Sequence, residues 1–493
     1  MFTIKSHILV SLLTIPESRN SRNSQFYSHL SQTKKVDICA VGGGSGGIGA
    51  AVSAARRGAK TLLIEASPGL GGTSTRAGVN NYEPVAGATG LPAELFERLR
   101  AIPNVVAIQK RTASYHPDRP WGIYDRTDES DYRLSLSRRT GTAIVFEPDA
   151  MNEAMIATVR ESGCELSLST RFTDVHHANG RIDSISIESP EGKSTVEADV
   201  FIDSTADIYV ARAAGCESAI GVEPRDVYDE PSAPDAHETV LNSASLCYRI
   251  APLSNGEAAD IEDPPKHIDL DALNTVTSIR TYANGDRNMN PLRLMTGQEA
   301  FDLGDRAYEE SMKRIKAQWY VLRTKYGFEF ERWKVTWVSP MLGIRETHRL
   351  VGEHVLTEHD AETPLKDSPY YDIIGFADHA LDFHGSRPSR QLVNGPYGIP
   401  FRCLLTKEFD NLLVACRGAS FSSIGASTCR LSRTMMVLGQ AAGTAAALFG
   451  GSVKQFDSRL LREALRSDGI ALDLADGYLD AMPNVTPLHE AEW

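Results

Sequence analysis

The chain has 493 residues, of which 42% are hydrophobic and 23% charged, and its formal net charge is −13. An acidic chain without basic runs lacks the charge pattern that binds nucleic acid, and no apolar stretch approaches the ~20 residues that a membrane span needs. Seven scattered cysteines without a C-x-x-C pair argue against a disulfide framework and a zinc site.

Residues 1–35 differ from the rest of the chain. Lys5 precedes an apolar run at 8–15, and a stretch rich in Ser, Asn, Arg and Gln follows over 18–35. A basic start with an apolar core is typical of a secretory signal, and an acid-poor, Ser- and Arg-containing stretch is typical of a transit peptide. An unstructured leader or a start codon placed too far upstream explains the segment equally well. We predict a leader outside the fold, and a cytoplasmic protein unless that leader targets it for secretion or to an organelle.

The first elements of the predicted fold form a βαβ unit. Residues 36–41 make a short apolar strand, 48–57 an alanine-rich helix that Gly58 ends, and 61–64 a second strand. Between the first strand and the helix lies a glycine loop that fits G-x-G-x-x-G. A strand before this loop and a helix after it are the context that a dinucleotide-binding fingerprint requires.

Each loop glycine has a predicted purpose. Gly42 permits the tight turn, Gly44 lets the backbone approach a pyrophosphate, and Gly47 lets the helix pack close to the strand. Ser45 and Gly46 open the helix, whose N-terminus faces the phosphate charge. About 20 residues further on, Glu65 is placed to accept hydrogen bonds from a ribose 2′-hydroxyl, which disfavours NADP.

The residues after Glu65 distinguish FAD from NAD. The pattern E-x(5)-G-G-[ST] resembles the glutathione-reductase-type FAD-binding fold, including its fumarate reductase and FAD-dependent oxidoreductase branches. In that fold the Gly-Gly turn passes close to FAD, and the hydroxyl residues after it lie near the ribityl chain and the flavin. The resemblance therefore implies FAD contacts for Ala66, Gly71, Gly72, Thr73 and Thr75.

Later segments match the same superfamily in order. A helix is predicted over 148–162, followed by a strand meander at 165–168, 172–177 and 181–188. Residues 198–207 resemble the family's A-D-x-x-I-D-A-T-G-D strand, with Ala206 in place of a glycine. The resemblance implies that Phe172, Thr205 and Ala206 belong to the cofactor site.

A third matching region lies near the C-terminus. Residues 412–417 predict a buried strand, with Cys416 where the family usually has glycine, and 434–448 a helix of small residues. In FAD-dependent oxidoreductases this region closes over the flavin, which implies contacts for Gly439, Gln440 and Ala441. The alternative is a small-residue helix that merely packs on the sheet.

The predicted fold class is α/β: a discontinuous Rossmann-like FAD-binding domain with an inserted α+β substrate domain. Residues 36–221 and 401–450 would form the FAD-binding domain, 222–400 the substrate domain and 451–493 a helical tail. Within the insert we predict a surface loop at 224–234, a strand over 240–250 and a long helix over 306–326.

Features that are missing from the sequence narrow the flavin chemistry. No C-x(4)-C follows Gly72, so dithiol exchange is excluded, and no second dinucleotide fingerprint provides a site for NAD(P)H. No histidine follows the Gly-Gly turn as in covalent flavoproteins of the fumarate reductase type. We expect non-covalent FAD.

Catalytic residues are predicted from family position and chemistry. Arg345 follows a glycine turn and is suited to a carboxylate or a developing anion, or forms a structural ion pair with an acid such as Glu346. His384, in a D-x-H segment, is suited to proton transfer or is an ordinary buried histidine. His348, three residues past Arg345 and on the same face if the segment is helical, and Arg402 are weaker candidates, as is His379. The spacing of 378, 379 and 384 matches no standard metal site, and we predict no metal.

These features predict an FAD-dependent oxidoreductase that exchanges a hydride between a small organic substrate and flavin N5. The alternatives are a flavoprotein with non-redox chemistry, such as isomerisation or hydration, and a silent FAD-binding protein. The electron acceptor, either O₂ or a carrier protein, and the oligomeric state cannot be read from the sequence.

Overall fold

The computed structural model describes residues 32–474, apart from 83–86, 88, 110, 117–118, 126–142, 259–261, 326–329, 385–388, 391 and 393. The strands, numbered in chain order, are β1 (Gln32–Val41), β2 (Thr61–Ile64), β3 (Asn81–Tyr82), β4 (Val106–Gln109), β5 (Arg111–His116), β6 (Arg119–Asp125), β7 (Ala143–Phe146), β8 (Glu165–Ser167), β9 (Arg171–Ala178), β10 (Arg181–Ser189), β11 (Gly192–Asp203), β12 (Ser218–Ala219), β13 (Tyr248–Pro252), β14 (Thr277–Thr281), β15 (Arg287–Pro291), β16 (Trp333–Val338), β17 (Arg349–Leu350), β18 (Ile373–Ala377), β19 (Tyr397–Pro400) and β20 (Leu412–Val414). The helices are α1 (Ser45–Arg56), α2 (Leu91–Arg100), α3 (Pro148–Glu161), α4 (Tyr209–Ala213), α5 (Arg225–Tyr228), α6 (Gly297–Leu303), α7 (Arg306–Lys325), α8 (Glu358–Glu362), α9 (Ser423–Cys429), α10 (Ser432–Phe449) and α11 (Ser458–Ser467).

A parallel sheet in the order β8-β2-β1-β11-β20 carries the fold. Val41 at the end of β1 is in register with Asp203 of β11, which is in register with Val414 of β20. The carboxyl ends of three strands from distant parts of the chain therefore meet at one edge, where open α/β sheets bind their ligands.

The predicted strand meander is partly wrong. β9 and β10 extend the sheet antiparallel from the start of β11, but β8 pairs in parallel with β2 at the opposite edge. The predicted end of the leader also needs correction, because residues 32–35 belong to β1 and pair with 194–197 of β11. In this part of β1, Lys34 forms an ion pair with Glu165 and Lys35 with Glu197, so its polar residues are accommodated within the sheet. Residues 1–31 of the predicted leader lie outside the described residues.

Helices α1 and α10 pack with almost no space between their backbones. A Cβ added at Gly439 would lie 1.9 Å from the Gly46 carbonyl oxygen, and one added at Gly443 would lie 2.0 Å from that of Ala50. Because both helices are rich in Gly and Ala and buried, they can approach more closely than larger side chains allow. This contact fixes α10 over the start of α1.

A second sheet, in the order β16-β13-β15-β14-β5-β6, packs against α7. The helix has nearly the predicted bounds, but the predicted strand over 240–250 is shorter, since β13 begins only at Tyr248. β5 and β6 join this sheet from 111–125, a segment that we assigned to the FAD-binding domain, whereas the other four strands come from 248–338. The domain boundaries remain a prediction.

The predicted surface loop at 224–234 is also wrong in part. It contains the short helix α5, and Glu230 within it is only 1% exposed. Of the predicted C-terminal helical tail, α11 is present and 475–493 lie outside the described residues. No helix within the described ranges combines the length and apolar character needed to span a lipid bilayer.

Candidate active site

The glycine loop between β1 and α1 is held tightly by its surroundings. Gly42 has a φ of +100°, and a Cβ there would lie 2.4 Å from the Ser204 carbonyl oxygen. A Cβ at Gly47 would lie 1.8 Å from the Gly42 carbonyl oxygen, and one at Gly46 would lie 1.8 Å from that of Ala415. The fold itself therefore requires glycine at these three positions.

Gly44 is different, because nothing in the protein requires glycine there. Its backbone is ordinary and extended (φ −73°, ψ −174°), and a Cβ would meet no atom within 4 Å. The position faces open space at the N-terminus of α1, where the first amides, including that of Ser45, have no acceptor within the helix. Open space in front of the first amides of a helix fits the pyrophosphate of a dinucleotide.

Glu65 lies beside this loop at the end of β2. Its carboxylate accepts hydrogen bonds from the amides of Gly43 at 2.6 Å and Ser67 at 2.7 Å. The remaining lone pairs on the two oxygens are suited to ribose hydroxyls. Ala66 is exposed next to it, and Phe172 is partly buried against the core on β9.

The Gly-Gly turn contacts the glycine loop directly. Gly71 and Gly72 have φ values of +93° and +47°, and the Gly71 amide donates to the Gly43 carbonyl at 2.9 Å. A Cβ at Gly72 would lie 3.7 Å from the Gly44 Cα. Of the predicted hydroxyl contacts, Thr73 is exposed, whereas the hydroxyl of the buried Thr75 is already bonded to the Leu70 carbonyl at 2.5 Å.

The segment after β11 keeps an unusual backbone. Ala206 and Ile208 have φ values of +69° and +49°, so Ala206 lies in the left-handed region that favours glycine. The Thr205 hydroxyl donates to Asp203 at 2.7 Å and accepts from the Tyr209 amide at 2.8 Å, so its side chain serves the turn into α4.

Arg417, which follows β20, holds this segment to the second half of the chain. Its guanidinium donates to the Ala206 carbonyl at 3.0 Å, the Asp207 carboxylate at 2.6 Å and the Ile344 carbonyl at 3.1 Å. Sequence reasoning missed both Arg417 and Asp207. The available signal was a pair of opposite charges, with Asp207 shortly after β11 and Arg417 shortly after β20.

Two of the small-residue positions in α10 have packing roles in this structure. Gly439 packs on Gly46, and the Gln440 side-chain carbonyl accepts from the Leu91 amide at 2.9 Å, which caps the N-terminus of α2. Ala441 is fully buried. These contacts favour the packing interpretation of the helix, and direct cofactor contacts of these three residues remain a prediction.

Arg345 and His384 lie in one cluster. The Ser243 carbonyl accepts from Arg345 at 2.5 Å, and the Ser243 hydroxyl donates to the His384 carbonyl at 2.6 Å. His384 Nε2 lies 2.6 Å from Asp382 Oδ2, and Arg430 lies 3.6 Å from the same oxygen. We call Ser243, Arg345, Asp382, His384 and Arg430 the Arg–His cluster.

The Arg–His cluster is largely shielded from solvent. The side chains of His384, Asp382 and Arg430 are 13%, 16% and 10% exposed. Burial and the Arg345 charge lower the pKa of His384 to about 4, and burial with Arg430 lowers the pKa of Arg345 to about 10. Burial alone would raise the pKa of Asp382, but His384 and Arg430 hold it well below its usual range. At neutral pH the imidazole is therefore neutral while Arg345 and Asp382 are charged.

Backbone contacts place the Arg–His cluster next to the chain that follows the Gly-Gly turn. A Cβ at Gly78 would lie 2.6 Å from Cys247 Cβ, and one at Gly343 would lie 3.8 Å from Ala77 Cβ. Gly343 lies two residues before Arg345, and Cys247 lies four residues after Ser243. The cluster thus lies at the junction between the glycine-loop half of the protein and the second sheet.

The weaker catalytic candidates are not members of the Arg–His cluster, although His379 is near enough to Asp382 to help lower the pKa of that carboxyl. Residues 339–348 form no helix, so the expected shared face of Arg345 and His348 is wrong, and the His348 ring lies 5.9 Å from that of Phe301. Arg402 forms a two-point ion pair with Asp372 at 3.0 and 3.2 Å. His379 is buried, with Nδ1 2.8 Å from the Ala380 carbonyl.

Two further observations concern metal and thiol chemistry. Within the described ranges, no group of three or more His, Cys, Asp or Glu residues could hold a metal ion. All seven cysteines are buried and free, and burial raises the pKa of Cys416 to about 12.

Comparison with known proteins gives one broad match. The sequence model of the FAD dependent oxidoreductase family matches residues 37–465. No curated protein matches the chain.

Solved structures with a related fold are distant. A geranylgeranyl bacteriochlorophyll reductase-like protein from Thermoplasma acidophilum is 13% identical over 89% of this chain and 80% of its own, with a TM-score of 0.47. The myxobacterial chondrochloren halogenase is 12% identical over 88% and 78%, with a TM-score of 0.43. The p-nitrophenol 4-monooxygenase of Pseudomonas putida is 11% identical over 65% and 70%, with a TM-score of 0.40. Likeness at this level carries no conclusion about activity.

Proposed function

The chain belongs to the FAD-dependent oxidoreductase family, and on that premise we propose that it exchanges a hydride between a small organic substrate and its FAD. The observation that carries this proposal is the Arg–His cluster, in which a neutral imidazole oriented by a carboxylate lies beside two guanidinium groups. Bound FAD supplies an electron-pair acceptor or donor at flavin N5. The remaining chemistry is assigned to side chains of this protein.

His384 is proposed to move the proton. Since its Nε2 lies 2.6 Å from Asp382, we assign the imidazole proton to Nε2, which leaves Nδ1 with a lone pair. When a hydroxyl-bearing carbon loses a hydride, the hydroxyl transfers its proton to Nδ1 and a C=O bond forms. When the carbon next to an acidic C–H loses a hydride, the acidic C–H transfers its proton to Nδ1 and a C=C bond forms. The ionised Asp382 then stabilises the imidazolium that forms.

Arg345 is proposed to bind the negative end of the substrate. Arg345 and Arg430 place two guanidinium groups in the same cluster as His384 and Asp382. A guanidinium is suited to bind a carboxylate, or a carbonyl that gains negative charge during reaction. A small carboxylate-bearing substrate, such as a hydroxy acid or an unsaturated acid, fits this site best.

Reduction of the bound flavin tests the proposal. Under anaerobic conditions, a true substrate should bleach the visible flavin absorbance, and His384→Gln should slow that bleaching while FAD stays bound. His237, an exposed histidine near the Ile220 carbonyl, offers His237→Gln as a matched control without effect. Product formation without bleaching would favour non-redox chemistry, and neither product nor bleaching with any substrate class would favour a silent FAD-binding protein.

Reoxidation then identifies the electron acceptor. The reduced enzyme is mixed either with O₂ or with a one-electron carrier protein, and the rate of recovery of the oxidised spectrum is compared. Fast recovery with O₂ identifies an oxidase-type cycle, and recovery only with the carrier identifies a dehydrogenase.

A further inference from the structure

His384 has a backbone conformation that is uncommon for a residue with a side chain. Its φ is +40°, in the left-handed region, where the Cβ crowds the following carbonyl group. Strained conformations of this kind are concentrated at functional sites, and they persist only where the surrounding structure holds them. The conformation of His384 therefore requires contacts that fix its backbone.

Ser243 supplies such a contact, and it contacts Arg345 as well. Its hydroxyl donates to the His384 carbonyl at 2.6 Å, and its own carbonyl accepts from the Arg345 guanidinium at 2.5 Å. Because Ser243 is only 6% exposed, water competes little for either hydrogen bond. One residue thus contacts both of the groups to which we assign substrate binding and proton transfer.

The residues on either side of Ser243 are fixed to other parts of the chain. Asn242 donates to Glu346 Oε2 through its backbone amide at 3.1 Å and through its side chain at 3.2 Å. On the other side, the Ala244 amide donates to the Met295 carbonyl at 2.9 Å. Ser243 is therefore a fixed point against which the functional groups of the Arg–His cluster can be oriented.

The bonds to the His384 ring and to the His384 backbone have different effects. Asp382 Oδ2 lies 2.6 Å from Nε2 and orients the ring, whereas the Ser243 hydroxyl fixes the backbone from which the ring extends. Both contacts are needed to hold Nδ1 at a constant distance from a substrate that is bound by Arg345. A misplacement of about 1 Å is enough to slow a reaction by about 10²-fold.

We propose that Ser243 is a positioning residue for the reaction, an inference that rests on the proposed function. Its hydroxyl holds the His384 backbone so that Nδ1 is directed toward the substrate, and its carbonyl orients Arg345 for the negative end of that substrate. Substitution by alanine removes the first contact and keeps the second. Loss of the hydroxyl should therefore impair proton transfer and leave substrate binding intact.

The first measurement follows the His384 imidazole by NMR in FAD-bound protein labelled with ¹³C-histidine, with the signal assigned by its absence from His384→Gln. Burial and the charge of Arg345 lower the pKa of His384 to about 4, a direction that Arg430 reinforces and Asp382 opposes. A less tightly held imidazole gains contact with water, so in Ser243→Ala its pKa should rise toward the ordinary 6.5. Ser243→Thr, which keeps the hydroxyl, should retain the wild-type titration.

The second measurement is the anaerobic rate of flavin reduction, with the substrate that the bleaching assay identifies. In Ser243→Ala the limiting rate should fall about 10–100-fold, whereas the half-saturating substrate concentration should stay close to the wild-type value, because alanine keeps the carbonyl that orients Arg345. Ser243→Thr should restore most of the rate. Ser245→Ala is the matched control without effect, since Ser245 is 1% exposed and its hydroxyl donates to the Pro291 carbonyl at 2.5 Å.

Three results would overturn the inference. A wild-type titration and rate in Ser243→Ala show that the hydroxyl does not position His384. A higher half-saturating concentration with an unchanged limiting rate assigns Ser243 to substrate binding, and an equal loss of rate in Ser245→Ala shows a general effect of removing a buried hydroxyl. A wild-type protein whose flavin no substrate bleaches would instead refute the proposed function, while the titration still tests the positioning of His384. If Ser243→Ala does not fold, Ser243→Cys, which has nearly the same shape and donates only weakly, provides the same comparison.

Discussion

Replacing Gly44 with valine should abolish FAD binding while leaving the stability of the folded protein almost unchanged. The backbone there is extended, which suits a β-branched residue, and a Cβ meets no protein atom within 4 Å. The unfolding free energy of the apo-protein should therefore change by no more than about 0.5 kcal/mol. FAD binding should fail, because the added side chain occupies the space in front of the N-terminus of α1.

The size of the binding defect follows from the hydrogen bonds that the cofactor would lose. Hydrogen bonds to a charged group contribute about 1.5–3 kcal/mol each, so loss of two N–H contacts to the pyrophosphate weakens FAD binding by about 10²–10⁴-fold. Quenching of flavin fluorescence on titration into apo-protein gives the dissociation constant. Calorimetry gives the stability of the same samples.

Two other glycines provide controls with the opposite pattern. Gly58 has a φ of +85° and open space around it, so Gly58→Ala should cost roughly 1–2 kcal/mol of stability through backbone strain and leave FAD affinity unchanged. Gly46→Ala would place a methyl 1.8 Å from the Ala415 carbonyl and should impair folding itself. Wild-type affinity in Gly44→Val, or a stability loss as large as that of Gly58→Ala, would refute the reasoning.

Four further outcomes are expected. His384→Gln should slow substrate-dependent flavin reduction by roughly 10²–10⁴-fold. In the wild type, kcat/KM should rise with pH through about 4, because His384 loses its proton there and becomes a base. A rate that changes neither with this substitution nor with pH in this range would show that His384 does not move the proton. Arg345→Lys keeps the charge but loses the planar fork, so kcat/KM should fall about 10–100-fold, and an unchanged value would make Arg345 structural. Burial raises the pKa of Glu230 from 4.5 to about 7, so the folded protein holds this proton more tightly than the unfolded chain. The unfolding free energy of the wild type should therefore fall by about 3 kcal/mol as pH rises from 4.5 to 7. Glu230→Gln should remove this pH dependence in denaturant titrations, and the same pH dependence in the variant would contradict the prediction. Acid precipitation should leave FAD in the supernatant, whereas flavin on the pellet would reveal a covalent link, with Cys416 the first residue to examine.

The parts of the fold that are encoded locally could be predicted. The first βαβ unit follows from an apolar run, a glycine loop and an alanine-rich helix. β2 has the predicted bounds, whereas β1 begins four residues and α1 three residues before the predicted start. Helix α7 ends within one residue of its predicted end because its periodicity is strong and uninterrupted. These helices, strands and turns could be predicted because each is determined by residues close to it in the sequence.

Pairings between distant segments could not be predicted. β8 looked like part of a meander because its sequence has no mark that distinguishes a parallel edge strand from an antiparallel one. Arg345 and His384 were selected on chemistry, but their link through Ser243 depends on three segments that only the tertiary structure brings together. Arg430 gave no signal in the sequence, because its place beside Asp382 also depends on the tertiary structure.

The close contact of α1 with α10 also determines when the cofactor site can form during synthesis. The strand β1 and the glycine loop emerge from the ribosome first, whereas β20 and α10, which cover them, are made near the other end of the chain. Until then the small-residue face of α1 and one side of β11 remain exposed, and closing contacts over so long a sequence separation is slow. The nascent chain therefore cannot complete the contact between α1 and α10 until β20 and α10 have been made, and a chain truncated before β20 leaves an open, aggregation-prone surface.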